Sequence, residues 1–360
     1  MSPEITKLLC GWYQKNKRVL PWRQDPSPYH VWISEIMLQQ TRVEAVIRYY
    51  ERFLQRLPDT ASLAECPDDV LLKLWEGLGY YSRARNLKKA ARVVMEQYGG
   101  NLPADYDALL KLPGIGPYTA GAIASIAFAL PVPAVDGNVL RVFARLSAEE
   151  GDLRDPAVVS RIRSMAEQIM PEREPDVWNQ AVMELGALVC IPNGAPKCGE
   201  CPVCSCCLAF QAGLTDRIPF KSPPPGKRKE KKTVLVLRDG TCTLLHRRKE
   251  SGLLAGMFEF PCLEGHCSEE ETVRFVEDTL GLMVLQIRPL PPAKHIFTHI
   301  EWDMTGFLIL TEDLSKLPEQ MTLQEQYVAA APEKTQYAYP IPAAFRAFAS
   351  ALKIEIGQFH

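Results

Sequence analysis

The sequence predicts two regions of different fold class in one chain: an all-α region over residues 1–213 and an α+β region over residues 233–360. Three observations carry that expectation. Up to about residue 213, apolar residues recur every three or four positions, the period of a helix with one buried face. Residues 214–232, LTDRIPFKSPPPGKRKEKK, hold four prolines and a basic run, and read as a linker. Beyond them the pattern changes: two β-rich runs flank Asp239-Gly240, and an amphipathic helix and another strand follow. A chain of 360 residues is long enough for two or three such domains.

In the first region VWISEIMLQQ, VEAVIRYYERFLQRL, DDVLLKLWEGL, ARNLKKAARVVMEQYGG and DALLKL are each expected to be helices. PDT, CPDD and YGGNLPAD separate them as turns and caps. In the second region KTVLVLRDGTCTLLHRR reads as a hairpin turning at Asp239-Gly240. SEEETVRFVEDTLGL reads as an amphipathic helix, EWDMTGFLIL as a strand and AAFRAFASALKI as a closing helix.

Charge is nearly balanced, 41 basic against 43 acidic residues, so net charge does not point to a polyanionic partner. Its distribution is uneven. Asp216 to Lys232 carries 7 basic and 2 acidic residues. That stretch is either a solvated tether or an arm that tracks phosphates. No apolar run reaches the ~18 residues that would suggest a membrane span. The first residues hold no apolar core of a secretory signal, so the chain is expected to be cytoplasmic and to have no membrane partner. Eleven cysteines in such a chain argue against a disulfide framework. Six of them fall between Cys190 and Cys207, which suggests a metal or iron–sulfur site.

Several residues stand out as carriers of chemistry. In LPGIGPYTAGA, Gly114 and Gly116 leave bare backbone before a helix that Pro117 opens. Such N–H groups hold an anion, so the segment is a phosphate-gripping helix–hairpin–helix or a plain turn between helices. A monovalent or divalent cation at that phosphate site is a further candidate cofactor. Glu35 sits among Ile33, Ile36 and Met37. It is either an exposed helix glutamate or a buried acid whose proton is available near neutrality. Asp136 opens DGNVLRVFARL as a helix cap, a position that favours its ionised form.

These motifs together resemble a known family. LPGIGPYTAGAI and VDGNVLRVFARL look like the hairpin and the catalytic aspartate segment of the helix–hairpin–helix DNA glycosylases. With PWRQDPSPYHVWISEIMLQQT, EGLGYYSRARNL, the cysteine cluster and the C-terminal region, the chain is similar over essentially its whole length to the MutY family of adenine DNA glycosylases. The resemblance implies a six-helix domain at about 29–135 and a cluster domain from about 1–28 plus 136–213. It places a Nudix-like lesion-recognition domain at 233–360. It implies a monomer acting on double-stranded DNA that carries adenine opposite 8-oxoguanine, nucleoid-associated if bacterial. Glu35 takes the place of the proton donor to adenine N7, Asp136 that of the anion beneath the sugar, and Asn138 its hydrogen-bonding support. Tyr118 stands where strand-cutting relatives resembling endonuclease III have a lysine. A phenol forms no imine, so a monofunctional enzyme is expected, with Tyr118 lining the sugar pocket.

For DNA, the resemblance assigns Gln39, Gln40 and Thr41 to a wedge loop and Gly114 and Gly116 to a phosphate. Trp22 and Arg23 fall near the adenine pocket. Leu78 and Tyr80 brace the strand opposite the adenine. Phe297, Thr298 and His299 match a Phe-Ser-His loop that checks the lesion, with threonine in place of serine. For metal, Cys190, Cys198, Cys201 and Cys207 match a [4Fe–4S] pattern with one extra residue in the first loop. Cys204 and Cys206 leave the register of the fourth ligand open, and a structural zinc site is the other reading. Aligning a Nudix box on Gly281 puts Phe275 and Thr279 at acidic positions and leaves only Asp278, which argues against a pyrophosphohydrolase. A bifunctional glycosylase for oxidised pyrimidines and a non-catalytic DNA-binding protein are the remaining alternatives.

Overall fold

A computed structural model describes residues 3–223, 226–323 and 326–356. The chain divides into two compact units. One comprises Met1–Glu65 with Asn86–Pro224, the other Cys66–Arg85 with Pro225–His360. Among the described residues no helix is long and apolar enough to cross a membrane.

The first unit is helical. Its elements are α1 (Pro3–Asn16), α2 (Pro21–Gln24), α3 (Pro28–Leu38), α4 (Val43–Arg56) and α5 (Thr60–Glu65). After α6 (Asp68–Leu74), which belongs to the second unit, α7 (Ser82–Tyr98) crosses the boundary. Then come α8 (Tyr106–Leu110), α9 (Pro117–Phe128), α10 (Gly137–Ser147), α11 (Pro156–Ile169), α12 (Pro175–Leu188) and the short α13 (Leu208–Gln211). Local chemistry sets the starts. Ser27 caps α3 by accepting the His30 N–H, and Pro28 follows where a missing N–H is harmless. Asp136 caps α10 by accepting the Val139 N–H. Ile5, Leu9 and Tyr13 of α1 pack with Val139, Val142 and Phe143 of α10 and with Trp178, Val182 and Leu185 of α12. The first helix is therefore held by helices more than 120 residues away in sequence.

The second unit is built on a mixed seven-stranded sheet. Its strands are β1 (Arg228–Arg238), β2 (Thr243–Arg247), β3 (Phe258–Glu259), β4 (Cys262–Glu264), β5 (Val284–Ile296), β6 (Ile300–Thr311) and β7 (Tyr327–Ala330). The main path runs β3-β2-β1-β6-β5, with β4 beside β1 and β7 beside β2. β1 and β6 are parallel, while β1 and β2 form the antiparallel pair expected around Asp239-Gly240. The alternation in β1 divides cleanly. Val234 and Val236 enter one core with Trp302 and Phe345, and Leu235 and Leu237 enter another with Val276 and Leu280. β5 lies at the sheet edge, where its prolines 289, 291 and 292 break no interior ladder.

Three details differ from the sequence reading. SEEETVR begins as α14 (Glu269–Arg274) with a Ser268/Glu271 capping box, but Phe275–Thr279 is wound as a π-helix. The closing helix is broken into short turns over residues 343–352. The stretch 214–232 is not free chain throughout. Ile218 is buried and its carbonyl accepts from Arg145, while Arg228–Lys232 open β1. Lys232 lies over the Trp302 ring and pairs with Glu264, which accounts for one basic residue of the run.

Candidate active site

A cavity of about 570 Å³ opens in the first unit, and it gathers side chains from α2, α3, α9, α12 and the start of α10. Trp22, Arg23, Glu35, Gln39, Gln40, Thr41, Gly116, Tyr118, Asp136 and Asn138, all singled out in the sequence, line it. Glu35 is buried on α3, whose residues Val31–Met37 are all buried. The Tyr118 hydroxyl donates to Glu35 Oε2. Burial pushes the Glu35 carboxyl up to about 7. The Tyr118 hydrogen bond opposes burial, the Asp136 charge adds to it, and Arg23 opposes it. The acid is thus poised to hold a proton near neutrality. Burial and the neighbouring carboxylates also raise the Tyr118 phenol well above its usual value, so it remains a donor.

Asp136 is half-buried where α10 begins. Its Oδ1 accepts the Val139 N–H at 2.7 Å and its Oδ2 accepts from Asn138 Nδ2 at 2.7 Å. Burial raises this carboxyl, while these hydrogen bonds and the Arg141 charge pull it back. The helix start therefore acts against a desolvation that its sequence position does not reveal. Asn138 is oriented in turn: its Oδ1 accepts from Arg141 Nη2 at 2.9 Å, and the same nitrogen donates to the Gly186 carbonyl at 2.7 Å. A Cβ on Gly186 would stand 2.6 Å from Asn138 Cβ, so only glycine lets α12 approach this closely.

The hairpin glycines differ from each other. Gly114 has φ +78 and a Cβ there would meet Asn86 Cβ at 2.6 Å. Gly116 caps α9 with φ −93, so it needs no left-handed backbone and serves by leaving the helix start open. Gln40 is exposed and left-handed at φ 58, an uncommon strain for a side-chain-bearing residue. Gln39 is tethered through Nε2 to Thr119 Oγ1 at 3.2 Å. Trp22 is buried edge-on against Tyr50 at 5.4 Å.

Other candidates belong to the second unit. Leu78, expected to brace the strand opposite the adenine, is buried, with 7% of its surface exposed. Tyr80 is exposed and left-handed at φ 49, and its hydroxyl lies 3.1 Å from Thr298 Oγ1. Phe297 stacks edge-on against Trp302 at 4.8 Å, leaving Thr298 and His299 exposed in the turn between β5 and β6.

The cysteines of the cluster are all free. Cys190 Sγ accepts from Arg145 Nη1 at 3.2 Å, and Cys207 Sγ donates to the Arg145 carbonyl at 3.3 Å. Burial raises the thiols of Cys198 and Cys207, and that of Cys201 to about 12. Cys198 lies within electrostatic reach of Cys190 and Cys204, Cys201 of Cys190, Cys204 and Cys207, and Cys207 of Cys190 and Cys198. Among the described residues no three His, Cys, Asp or Glu side chains are grouped as ligands of one metal ion. The fit therefore rests on the donor set, which is all sulfur and has a guanidinium directed at one sulfur; that chemistry suits a thiolate-bound centre.

Arg18, Gln180, Met183 and Glu184 are among the cavity-wall residues that were not foreseen. The last three lie on α12, where a carboxylate inside the apolar run AVMELGAL was the available signal.

The model for the HhH-GPD superfamily of base excision DNA repair proteins matches residues 33–186, and a NUDIX domain model matches residues 233–351. The adenine DNA glycosylase of Mus musculus is 37% identical over 350 residues, spanning 81% of this chain and 68% of that protein. The adenine DNA glycosylase of Buchnera aphidicola subsp. Schizaphis graminum is 35% identical over 306 residues, spanning 85% of this chain and 87% of that protein. Among solved structures, a thermostable thymine-DNA glycosylase superposes with a TM-score of 0.53 at 29% identity, covering 57% of this chain and 95% of that one.

Proposed function

This chain belongs to the adenine DNA glycosylase family, and on that premise we propose that it excises adenine lying opposite 8-oxoguanine in duplex DNA and leaves an abasic site. The observation that carries the reading is a single cavity holding Glu35, raised to about 7 and bonded to Tyr118, together with Asp136.

The base must leave the stack to reach that cavity. The exposed, strained Gln40 fills the gap it vacates, with Gln39 anchored behind it. The helix start at Gly116 holds a phosphate and sets the register, a backbone contact that carries no sequence information. Neutral Glu35 gives its proton to N7 of the adenine. The N-glycosidic bond then breaks with its electron pair going to the base, which departs as neutral adenine. The sugar is left as an oxocarbenium ion, and Asp136, ionised and fixed by Val139 and Asn138, stabilises it. One carboxyl holds a proton while the other carries charge, the division of roles found in retaining glycosidases. Water then adds to the sugar and loses a proton, which returns Glu35 to its neutral form. Tyr118 has no amine, so no imine forms and the strand stays intact.

In the second unit, Tyr80 and Thr298 offer paired hydroxyls to the oxidised guanine. Cys190, Cys198, Cys201 and Cys207 would hold a [4Fe–4S] cluster, which supplies a structural cross-link when bound. The test is a duplex with adenine opposite 8-oxoguanine. Alkali-labile sites without direct strand scission support the reading; direct scission or no base release overturns it.

A further inference from the structure

Part of the cavity wall is made of charges to which the reaction above gives no part. Glu184 on α12 is almost fully buried and binds two guanidinium groups. Arg18 reaches it from Nε at 2.9 Å and Nη2 at 2.8 Å, and the Arg18 backbone N–H adds a third contact at 2.9 Å. Arg23 reaches it from Nη1 at 3.1 Å and Nη2 at 2.8 Å, and its Nη1 also donates to the Arg18 carbonyl at 3.1 Å. The Arg23 guanidinium lies over the Tyr13 ring at 5.5 Å. All three charged residues line the same cavity as Glu35.

We propose that Glu184 is a positioning residue for catalysis: by gripping both guanidinium groups it fixes Arg23 in the cavity wall and screens the acid Glu35 from that cation. The inference rests on the assignment of Glu35 as proton donor. An unscreened cation beside a buried carboxyl favours the ionised form, which has no proton to give. Arg23 acts on Glu35 in that direction, alongside Tyr118 from α9, while Asp136 at the start of α10 acts in the other. The groups facing the clamp itself are Tyr13 on α1, with Lys17 over its ring, Glu44 on α4 acting on Arg18, and Asp176 acting on Tyr13. Its two arginines hold the Glu184 carboxyl down at about 2, so the clamp keeps one charge state while Glu35 titrates. Two cations on one anion leave a net single positive charge in the wall, and the argument turns on how that balance changes.

Single-turnover adenine release from the 8-oxoguanine duplex, followed against pH in the full chain, tests the proposal. Glu184→Gln keeps the shape and an acceptor but removes the anion. The alkaline fall-off of the rate should then move to lower pH by ~0.5–1 unit, at the low end of what a nearby opposite charge does to a carboxyl. Arg18→Met, at a partly exposed position, removes one cation instead and should move the fall-off to higher pH. A merely structural clamp would lower the rate at every pH without moving the fall-off. If the folded Glu184→Gln protein has the wild-type fall-off, the proposal is overturned. If that variant does not fold, Arg18→Met decides: an upward move supports the screening role, and no move or a downward one overturns it. Wild-type protein that releases no adenine would overturn the glycosylase reading as well; release with unmoved fall-offs overturns this inference alone.

Discussion

Replacing Glu35 by glutamine should slow excision severely and yet stabilise the fold, by an amount that depends on pH. The folded protein raises this carboxyl from an ordinary value of 4.5 to about 7. Below about pH 4.5 both folded and unfolded chains hold the proton, and burial of Glu35 carries no ionisation cost. As pH rises towards 7 the unfolded chain ionises freely while the folded one resists, so stability falls. Above about pH 7 the cost is constant. The gap from 4.5 to about 7, at ~1.36 kcal/mol per pH unit, amounts to about 3 kcal/mol. Glutamine has nearly the same volume and its carbonyl accepts the Tyr118 hydrogen bond less strongly than a carboxylate does. The net gain at about pH 8 should be about 1–3 kcal/mol, shrinking as pH falls towards about 5. Urea unfolding of both proteins at the two pH values, followed by tryptophan fluorescence, measures it. A difference that does not change with pH, or a variant less stable than wild type at about pH 8, would refute the claim that desolvation of Glu35 dominates its titration.

Other perturbations separate the parts of the site. Tyr118→Phe removes the hydrogen bond that holds Glu35 down, so the alkaline fall-off of excision should move up by ~0.5–1 pH unit; an unmoved fall-off would detach Tyr118 from the acid. Asn138→Ala leaves Asp136 without its amide donor and should lower single-turnover excision ~10²-fold with little change in duplex affinity; equal losses in binding and rate would argue for misfolding instead. On the proposed ligand set, wild-type protein should purify brown with bound iron and sulfide, and Cys198→Ser should purify without them. A variant with full iron content would move the ligand set to other thiols of the segment.

The legible parts of the site were those carried by short local motifs. Glu35, Tyr118 and Asp136 each sit in a stretch whose neighbours declare the local structure: an apolar helix, a glycine hairpin and a capped helix start. Their convergence on one cavity followed from family resemblance and not from periodicity. Glu184 was missed because its partners Arg18 and Arg23 lie 166 and 161 residues away, and no local pattern links them. The Tyr118–Glu35 hydrogen bond, across 83 residues, was likewise invisible. In the second unit β1 was readable because its apolar, β-branched run ends at the Asp239-Gly240 turn, whereas β5 was not. Its prolines and scattered burial contradict the usual strand signature and are tolerated only because it ends the sheet. The basic run looked like free linker because charge signals solvent. Lys232 instead sets its ammonium over the Trp302 ring, 5.1 Å from the centroid.

The most direct test of the account follows adenine release in a single turnover on the 8-oxoguanine duplex, from about pH 5 to about pH 9, for wild type and Glu35→Gln. The account expects a wild-type rate that declines above about pH 7, where Glu35 loses its proton. It expects the variant to be slower by ~10²-fold or more below that point. A variant that releases adenine at the wild-type rate with the same decline would show that the proton comes from elsewhere.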